Sequence, residues 1–252
     1  MIHYHGTPIT GSCSPYMSMK SKHVMVSYAK PDQLGLFAEI CQSFAVDNGA
    51  FSVWKSGHEF DMKGYAEFIT EWHSHPGFDF YLMPDEIEGD SQANRQMREH
   101  WADFCSARMW ALGVPVWHLH EPVSVLEQMV DSFPRIALGS SGEYAAVGNQ
   151  KWWSRMSEAM EVACDKNGYP KAKLHGLRML DPSVFSHLPL SSADSTNVAR
   201  NIGIDSAWKG RYMPPSKRVR AIVLTERIES HASASRWASE SMGVQQNLEL
   251  FG

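Results

Sequence analysis

His23-Val24-Met25-Val26-Ser27-Tyr28-Ala29, then Lys30-Pro31-Asp32, then Leu34, Phe37 and Ile40 at helical spacing, form one complete cycle of a pattern that runs through the chain. The apolar run reads as a buried strand, Pro and Asp stand where a helix begins, and the spaced apolar residues give that helix one buried face. The cycle recurs towards the C-terminus. Ser43 to Phe51 reads as a second strand, followed by a helix from about Tyr65 to His75 that Pro76-Gly77 stops. Phe78 to Met83 is a third strand, with a long polar helix from about Ser91 to Leu112 behind it. Val114 to Leu119 and Arg135 to Leu138 are the fourth and fifth, and a helix rich in Trp and Met spans about Lys151 to Cys164. Lys173 to Leu177 and Pro189 to Ala193 are the sixth and seventh. For an eighth, Ala221 to Leu224 reads either as a strand or as the start of a helix, and Met1 to His5 is the other source.

Strands that alternate with helices imply parallel pairing. Seven or eight such units in 252 residues predict an α/β fold, a single (β/α)8 barrel of the TIM type, irregular or incomplete at its termini. An open doubly wound sheet is the alternative. With no repeat, low-complexity tract or linker, the expected organisation is one catalytic domain over 1–252, with an N-terminal extension over 1–22 and a basic, helical segment over 200–252.

The composition, 43% hydrophobic and 20% charged, is that of a globular protein. There is no run of about 18 apolar residues and no signal-like amino terminus, so a soluble, cytoplasmic protein with no membrane partner is expected. Cys13, Cys41, Cys105 and Cys164 are far apart and form no CxxC pair, which favours buried, reduced thiols. A net charge of −5 argues against indiscriminate coating of nucleic acid, which needs many phosphate contacts. A local basic face is still drawn by Arg200, Lys209, Arg211, Lys217, Arg218 and Arg220 against the single acid Asp205; a merely solvated face is the even alternative.

The informative residues follow the strands. The strand ends carry Asp47-Asn48-Gly49, Pro84-Asp85-Glu86, His118-Leu119-His120-Glu121, Gly139-Ser140-Ser141-Gly142-Glu143, His175-Gly176-Leu177-Arg178 and Ser192-Ala193-Asp194-Ser195. In a parallel barrel these ends share one rim, the face where barrel enzymes keep their chemistry. Any one corner is explained by capping or turn formation; their convergence favours a site. Gly139 to Gly142 leaves backbone N–H groups open at a strand-to-helix corner. His118 and His120 leave one face of a strand, which suits a metal or the wall of a pocket. Of the nine tryptophans most read as core, with Trp54 and Trp208 as the two that could meet a substrate.

Taken in order, these corners resemble those of the tRNA-guanine (queuine) transglycosylases and their compact phage and bacterial relatives that place 7-deazaguanine bases in DNA. Val46-Asp47-Asn48-Gly49-Ala50-Phe51 is similar to the family's Asp-Ser-Gly-Gly-Phe corner, and Tyr81 to Glu86 to the apolar run that ends in a base-reading Asp. Ala137 to Glu143 is similar to its glycine-rich loop, Leu174-His175-Gly176-Leu177 to its sixth strand, and Ser192 to Ser195 to its nucleophile strand. The likeness spans roughly residues 43 to 197. The family's Cys-x-Cys-x-x-Cys zinc motif is absent, so no cofactor is expected and a structural zinc is left open.

The resemblance implies a double displacement with Asp194 as nucleophile and Asp47 as acid/base partner. It implies base contacts from Asp85, Gly139, Ser140 and His175. Pocket, sugar or phosphate contacts would come from His118, His120, Glu143, Arg178 and Trp54, and backbone contacts from the basic residues named above. DNA is a better expected partner than tRNA, together with a free nucleobase if bases are exchanged. A DNA glycosylase that leaves an abasic site, a metal-dependent barrel hydrolase and a catalytically dead nucleic-acid-binding barrel are the competing readings. The oligomeric state is not legible.

Overall fold

The computed structural model describes residues 1–7, 16–201 and 208–238. Its strands are β1 (Ile2–Gly6), β2 (His23–Ser27), β3 (Ser43–Asp47), β4 (Phe78–Leu82), β5 (Gly113–Val114), β6 (Val116–His118), β7 (Arg135–Gly139), β8 (Lys173–Gly176) and β9 (Ser192–Ser195). All are parallel, in one sheet of order β5-β4-β3-β2-β1-β9-β8-β7-β6. The two ends of that order are halves of one stretch, interrupted at Pro115, which has no N–H to give a ladder. Val114 pairs with Leu82 on one side and Val116 with Ala137 on the other. The carbonyl of Pro115 accepts from Ala137 N at 2.9 Å. The sheet thus comes round on itself as a nearly closed barrel of the (β/α)8, TIM type.

Around it lie α1 (Leu34–Ile40), α2 (Ala50–Ser56), α3 (Met62–Trp72), α4 (Ser91–Ala102), α5 (Ala107–Leu112), α6 (Val123–Ser132), α7 (Gln150–Ala163), α8 (Pro182–Phe185), α9 (Asn197–Asn201) and α10 (Lys217–Glu229). The period of two along each strand divides the apolar residues into two layers. Tyr4, Met25, Ala45, Phe80, Val114, Val116 and Ala137 point inward and fill the barrel. Val24, Val26, Phe44, Val46, Tyr81, Ile136, Leu138 and Leu174 point outward against Phe37, Ile69, Trp101, Leu126, Trp152, Met156 and Leu224 of the helices. Two residues of β4, Asp79 and Phe80, face the single Ala45 of β3 between the Phe44–Phe78 and Val46–Tyr81 pairs, which is a bulge. Beside it Asp79 accepts from the Tyr4 hydroxyl and, at 3.2 Å, from Arg135, whose guanidinium lies 4.5 Å from the Phe80 ring centroid. These contacts join the inner ends of three strands.

Several boundaries differ from the sequence reading, each for a local reason. The eighth strand is Ile2–Gly6, between β2 and β9, so residues 2–6 are barrel and not extension. Ala221 to Leu224 lies inside α10. The second strand stops at Asp47 because Gly49, at φ +78°, turns the chain into α2. The long polar helix is two helices, with the Ser106 hydroxyl accepting from Met109 N to start α5. The last strand begins at Ser192 and not at Pro189, since Leu188-Pro189-Leu190 closes a tight turn with Leu190 N on Leu188 O. Among the described residues no helix is long and apolar enough to cross a membrane.

Candidate active site

Alternation sends Asp47, Leu82, His118, Gly139 and Asp194 inward at the C-terminal ends of their strands. There they line a cavity of about 310 Å³ with Asn48, Phe51, Trp54, Asp85, Ser140, Ser141 and Arg178. That volume is at the lower end of small-molecule sites. A larger groove of about 870 Å³ runs between α4, α5 and α6 past Arg95, Trp110 and Phe133, and none of the strand-end residues reaches it.

The Asp47 corner is built by its neighbours. A Cβ on Gly49 would sit 3.0 Å from Ala29 N, so close approach and a positive φ both require glycine there. Asn48 is buried; its Oδ1 accepts from Ala50 N at 2.8 Å, and its Nδ2 donates to Met83 O at 2.7 Å and Asp85 Oδ1 at 2.6 Å. It therefore ties the β3 corner to the β4 corner. Asp47 borders the cavity, yet desolvation is the largest influence on its carboxyl. The Gly49 N–H and the Ser27 hydroxyl pull its pKa down, the charges of Asp194 and Asp85 push it up, and the balance is a rise from 3.8 to about 6.

Asp194 is 9% exposed and receives the Arg178 N–H on Oδ1 at 3.0 Å. That amide is aimed by a backbone at φ +61°, a left-handed conformation uncommon for an arginine. Below Asp194 lies His175, fully buried, with Nδ1 on Ser192 Oγ at 2.8 Å and Nε2 3.5 Å from Asp194 Oδ1. Among the described residues Nε2 has no hydrogen-bond partner. His175 thus lies behind the carboxylate and does not line the cavity, in contrast to the base contact expected of it.

Asp85 is held from both sides, by Asn48 and by His118 Nε2 at 2.7 Å. Each carboxylate oxygen has a second lone pair for a ligand. Gly139 makes room for His118, because a Cβ there would lie 2.6 Å from His118 Nδ1. The amides of Ser140 and Ser141 give no backbone hydrogen bond to the described residues, and Ser140 Oγ accepts from Trp152 Nε1 at 2.8 Å. These are the open donors the corner predicted.

His120 stands one layer out, its ring stacked on His118 at 5.5 Å and bonded to Ser141 Oγ and Gly89 O. Glu143 is exposed and ion-paired with Lys151, away from the cavity. Its expected pocket role is corrected by that pairing, which holds its carboxyl below the usual range. Among the described residues no three His, Cys, Asp or Glu side chains are placed to hold a metal. Cys41, Cys105 and Cys164 are free thiols, and burial pushes Cys41 up to about 11 and Cys164 to about 12. Cys13 lies outside the described residues.

Trp54 is 47% exposed at the mouth, and it is joined by Phe51, 52% exposed, with ring centroids 5.6 Å apart. Sequence reasoning singled out only Trp54; the spacing of three on a short helix was the signal for the pair. Asn48 and Ser141 were also missed as site residues. In the basic segment Lys209, Arg211, Lys217 and Arg218 are exposed. Arg220 is not: it is 9% exposed on the inner face of α10, so its expected contact with a nucleic-acid backbone is corrected. The Arg200 side chain and Asp205 lie outside the described residues. Trp208 packs against the outer core.

No protein-family model matches the chain, and no curated protein matches it at a significant level.

Proposed function

We propose that the protein acts on the N-glycosidic bond of a nucleobase in nucleic acid, DNA in preference to tRNA, and exchanges the base through a covalent glycosyl-Asp194 intermediate. The observation that carries this reading is the pair of carboxyl groups lining one small rim cavity, of which Asp47 is raised to about 6. A raised acid beside a second carboxylate is the arrangement that retaining glycosidic chemistry uses.

Asp194, oriented by the Arg178 amide, attacks C1′, so that a C1′–Oδ bond forms as the C1′–N bond breaks. The departing base takes the proton of Asp47. An incoming base then attacks C1′, gives its N–H proton to Asp47, and Asp194 leaves as carboxylate. The open Ser140 and Ser141 amides suit a base carbonyl, and Asp85 suits a donor on the base edge. Phe51 and Trp54 offer ring faces to a base drawn out of its stack, offsetting part of the unstacking cost of a few kcal/mol. Exposed Lys209, Arg211, Lys217 and Arg218 would neutralise phosphates.

The test is mass spectrometry of nucleosides and free bases after incubation of wild-type and Asp194→Asn protein with DNA or tRNA, with and without added 7-deazaguanine bases. Incorporation that depends on Asp194 is the expected result. Release without incorporation would assign excision instead, and no change in any substrate would overturn the reading.

A further inference from the structure

A second cavity, of about 290 Å³, adjoins the first, and Arg178 belongs to the walls of both. Its polar lining includes Arg178, Asp181, Ser183 and Ser195. The position of Arg178 is unusual on two counts. Its backbone lies at φ +61°, where a side chain costs of order 1 kcal/mol and glycine costs nothing. The backbone conformation is explained by the amide that reaches Asp194 Oδ1. The side chain is not, since glycine would present the same amide without strain.

The guanidinium is also uncommitted. Among the described residues no carboxylate lies within ion-pair distance of it, and its Cζ stands 6.0 Å from the centroid of the Phe51 ring. Asp181, the acid in this wall, has Oδ1 engaged by Ser183 N at 2.9 Å and Ser183 Oγ at 2.7 Å where it caps α8. An exposed guanidinium with no carboxylate partner among the described residues therefore stands on the seam between two cavities, on the residue whose own amide binds the carboxylate proposed to attack C1′.

In a nucleotide the base and the phosphate are joined through the sugar, so a base cavity and a phosphate cavity must meet beside the group that attacks the sugar. We propose that the second cavity is a phosphate subsite, in which the Arg178 guanidinium forks onto the phosphate of the nucleotide whose base enters the first. This rests on the reading of Asp194 given above and assigns to Arg178 and the second cavity the phosphate adjoining the nucleotide that reacts. A planar fork suits two phosphate oxygens at once, which a lysine does not reproduce.

Calorimetric titration of a 2′-deoxynucleoside, its 5′-monophosphate and its 3′-monophosphate into wild type, Arg178→Lys and Arg178→Gly tests this. Glycine keeps the left-handed backbone and hence the Asp194 contact. One monophosphate is expected to bind wild type roughly tenfold more tightly than the nucleoside, the scale of a charge-assisted hydrogen bond. That ratio should fall to about one in Arg178→Gly and be partly restored in Arg178→Lys, and the 5′ and 3′ arms identify which phosphate is held. Equal affinity for all three ligands, or a phosphate advantage that survives Arg178→Gly, would overturn the subsite while leaving the chemistry at Asp194 standing. If no nucleoside compound binds, the base-site reading fails, and inorganic phosphate followed by ³¹P line width decides the subsite alone. Broadening lost in Arg178→Gly supports it, and no broadening in wild type sinks it.

Discussion

Burial of Asp47 works against the folded state whenever that carboxyl is ionised. Its pKa of 3.8 in the unfolded chain rises to about 6 in the fold, so between those values the unfolded form sheds a proton that the folded form keeps. The penalty is absent below pH 3.8, grows as pH rises towards 6 and is complete above it, at about 2–3 kcal/mol. Asp47→Asn should therefore raise the Tm at pH 8 by roughly 5–10 °C and leave it nearly unchanged at pH 3.5, as differential scanning calorimetry would show. The same variant should lose base exchange, and single-turnover base release by wild type should decline as pH rises through about 6. A Tm that does not respond at pH 8 would mean that Asp47 is not desolvated. Asp47 was legible from its corner. Asn48 was not, because its partners Met83 and Asp85 are distant in sequence, and a turn-forming Asn gives no sign of which distant groups it ties together.

At the scale of elements, α2 is the feature the sequence concealed. Ala50-Phe51-Ser52-Val53-Trp54 holds β-branched and aromatic residues that continue the apolar character of β3, and only the left-handed Gly49 separates them. The consequence is functional, since this helix sets Phe51 and Trp54 at the mouth of the cavity. Replacing either with Ala should weaken binding of single-stranded oligonucleotide by about 1–3 kcal/mol, as measured by fluorescence anisotropy, with stability changed by less than about 0.5 kcal/mol. Loss of stability without loss of affinity would show that the pair is structural. The Gly139 corner was legible as open donors, but its steric reason was not. Gly139→Ala places a methyl 2.6 Å from His118 Nδ1, and the displaced ring would release Asp85 from one of its two partners. The expected outcome is a loss of base affinity larger than the loss of Tm, read by calorimetric titration against a melting curve.

For the molecule as a whole, alternation of apolar runs and amphipathic segments was enough to foresee the barrel, and what escaped was how the ring is completed. β1 reads Ile-His-Tyr-His-Gly, too polar for a buried strand by itself. It is accommodated because α10, more than 200 residues later, brings Glu229 to His5 Nε2 at 3.0 Å and to Lys22, which Glu226 also meets at 2.9 Å. Desolvation pushes the Glu229 carboxyl up, but hydrogen bonds from His5 and Lys22 outweigh it and hold it at about 2. His3 and His23, near the same charge, are lowered chiefly by burial. The signs combine. An unfolded chain protonates His3 and His23 near 6.5 and the fold only at lower pH, so stability falls as pH drops below 6.5. Glu229 contributes stability in full above its unfolded value of 4.5 and loses it as pH falls towards 2, an amount of roughly 1–2 kcal/mol after solvent screening. Wild type should therefore lose Tm in two stages on acidification, one below pH 6.5 and one below pH 4.5. Glu229→Gln should lower the Tm at pH 7 and flatten the second stage, and His3→Asn with His23→Asn should flatten the first. Hydrogen exchange at pH 3 should show α10 opening before β3 and β7, because protonation of Glu229 is what weakens its contacts to His5 of β1 and to Lys22. Uniform protection across α10 and the inner strands at that pH would mean that the ring does not come apart there.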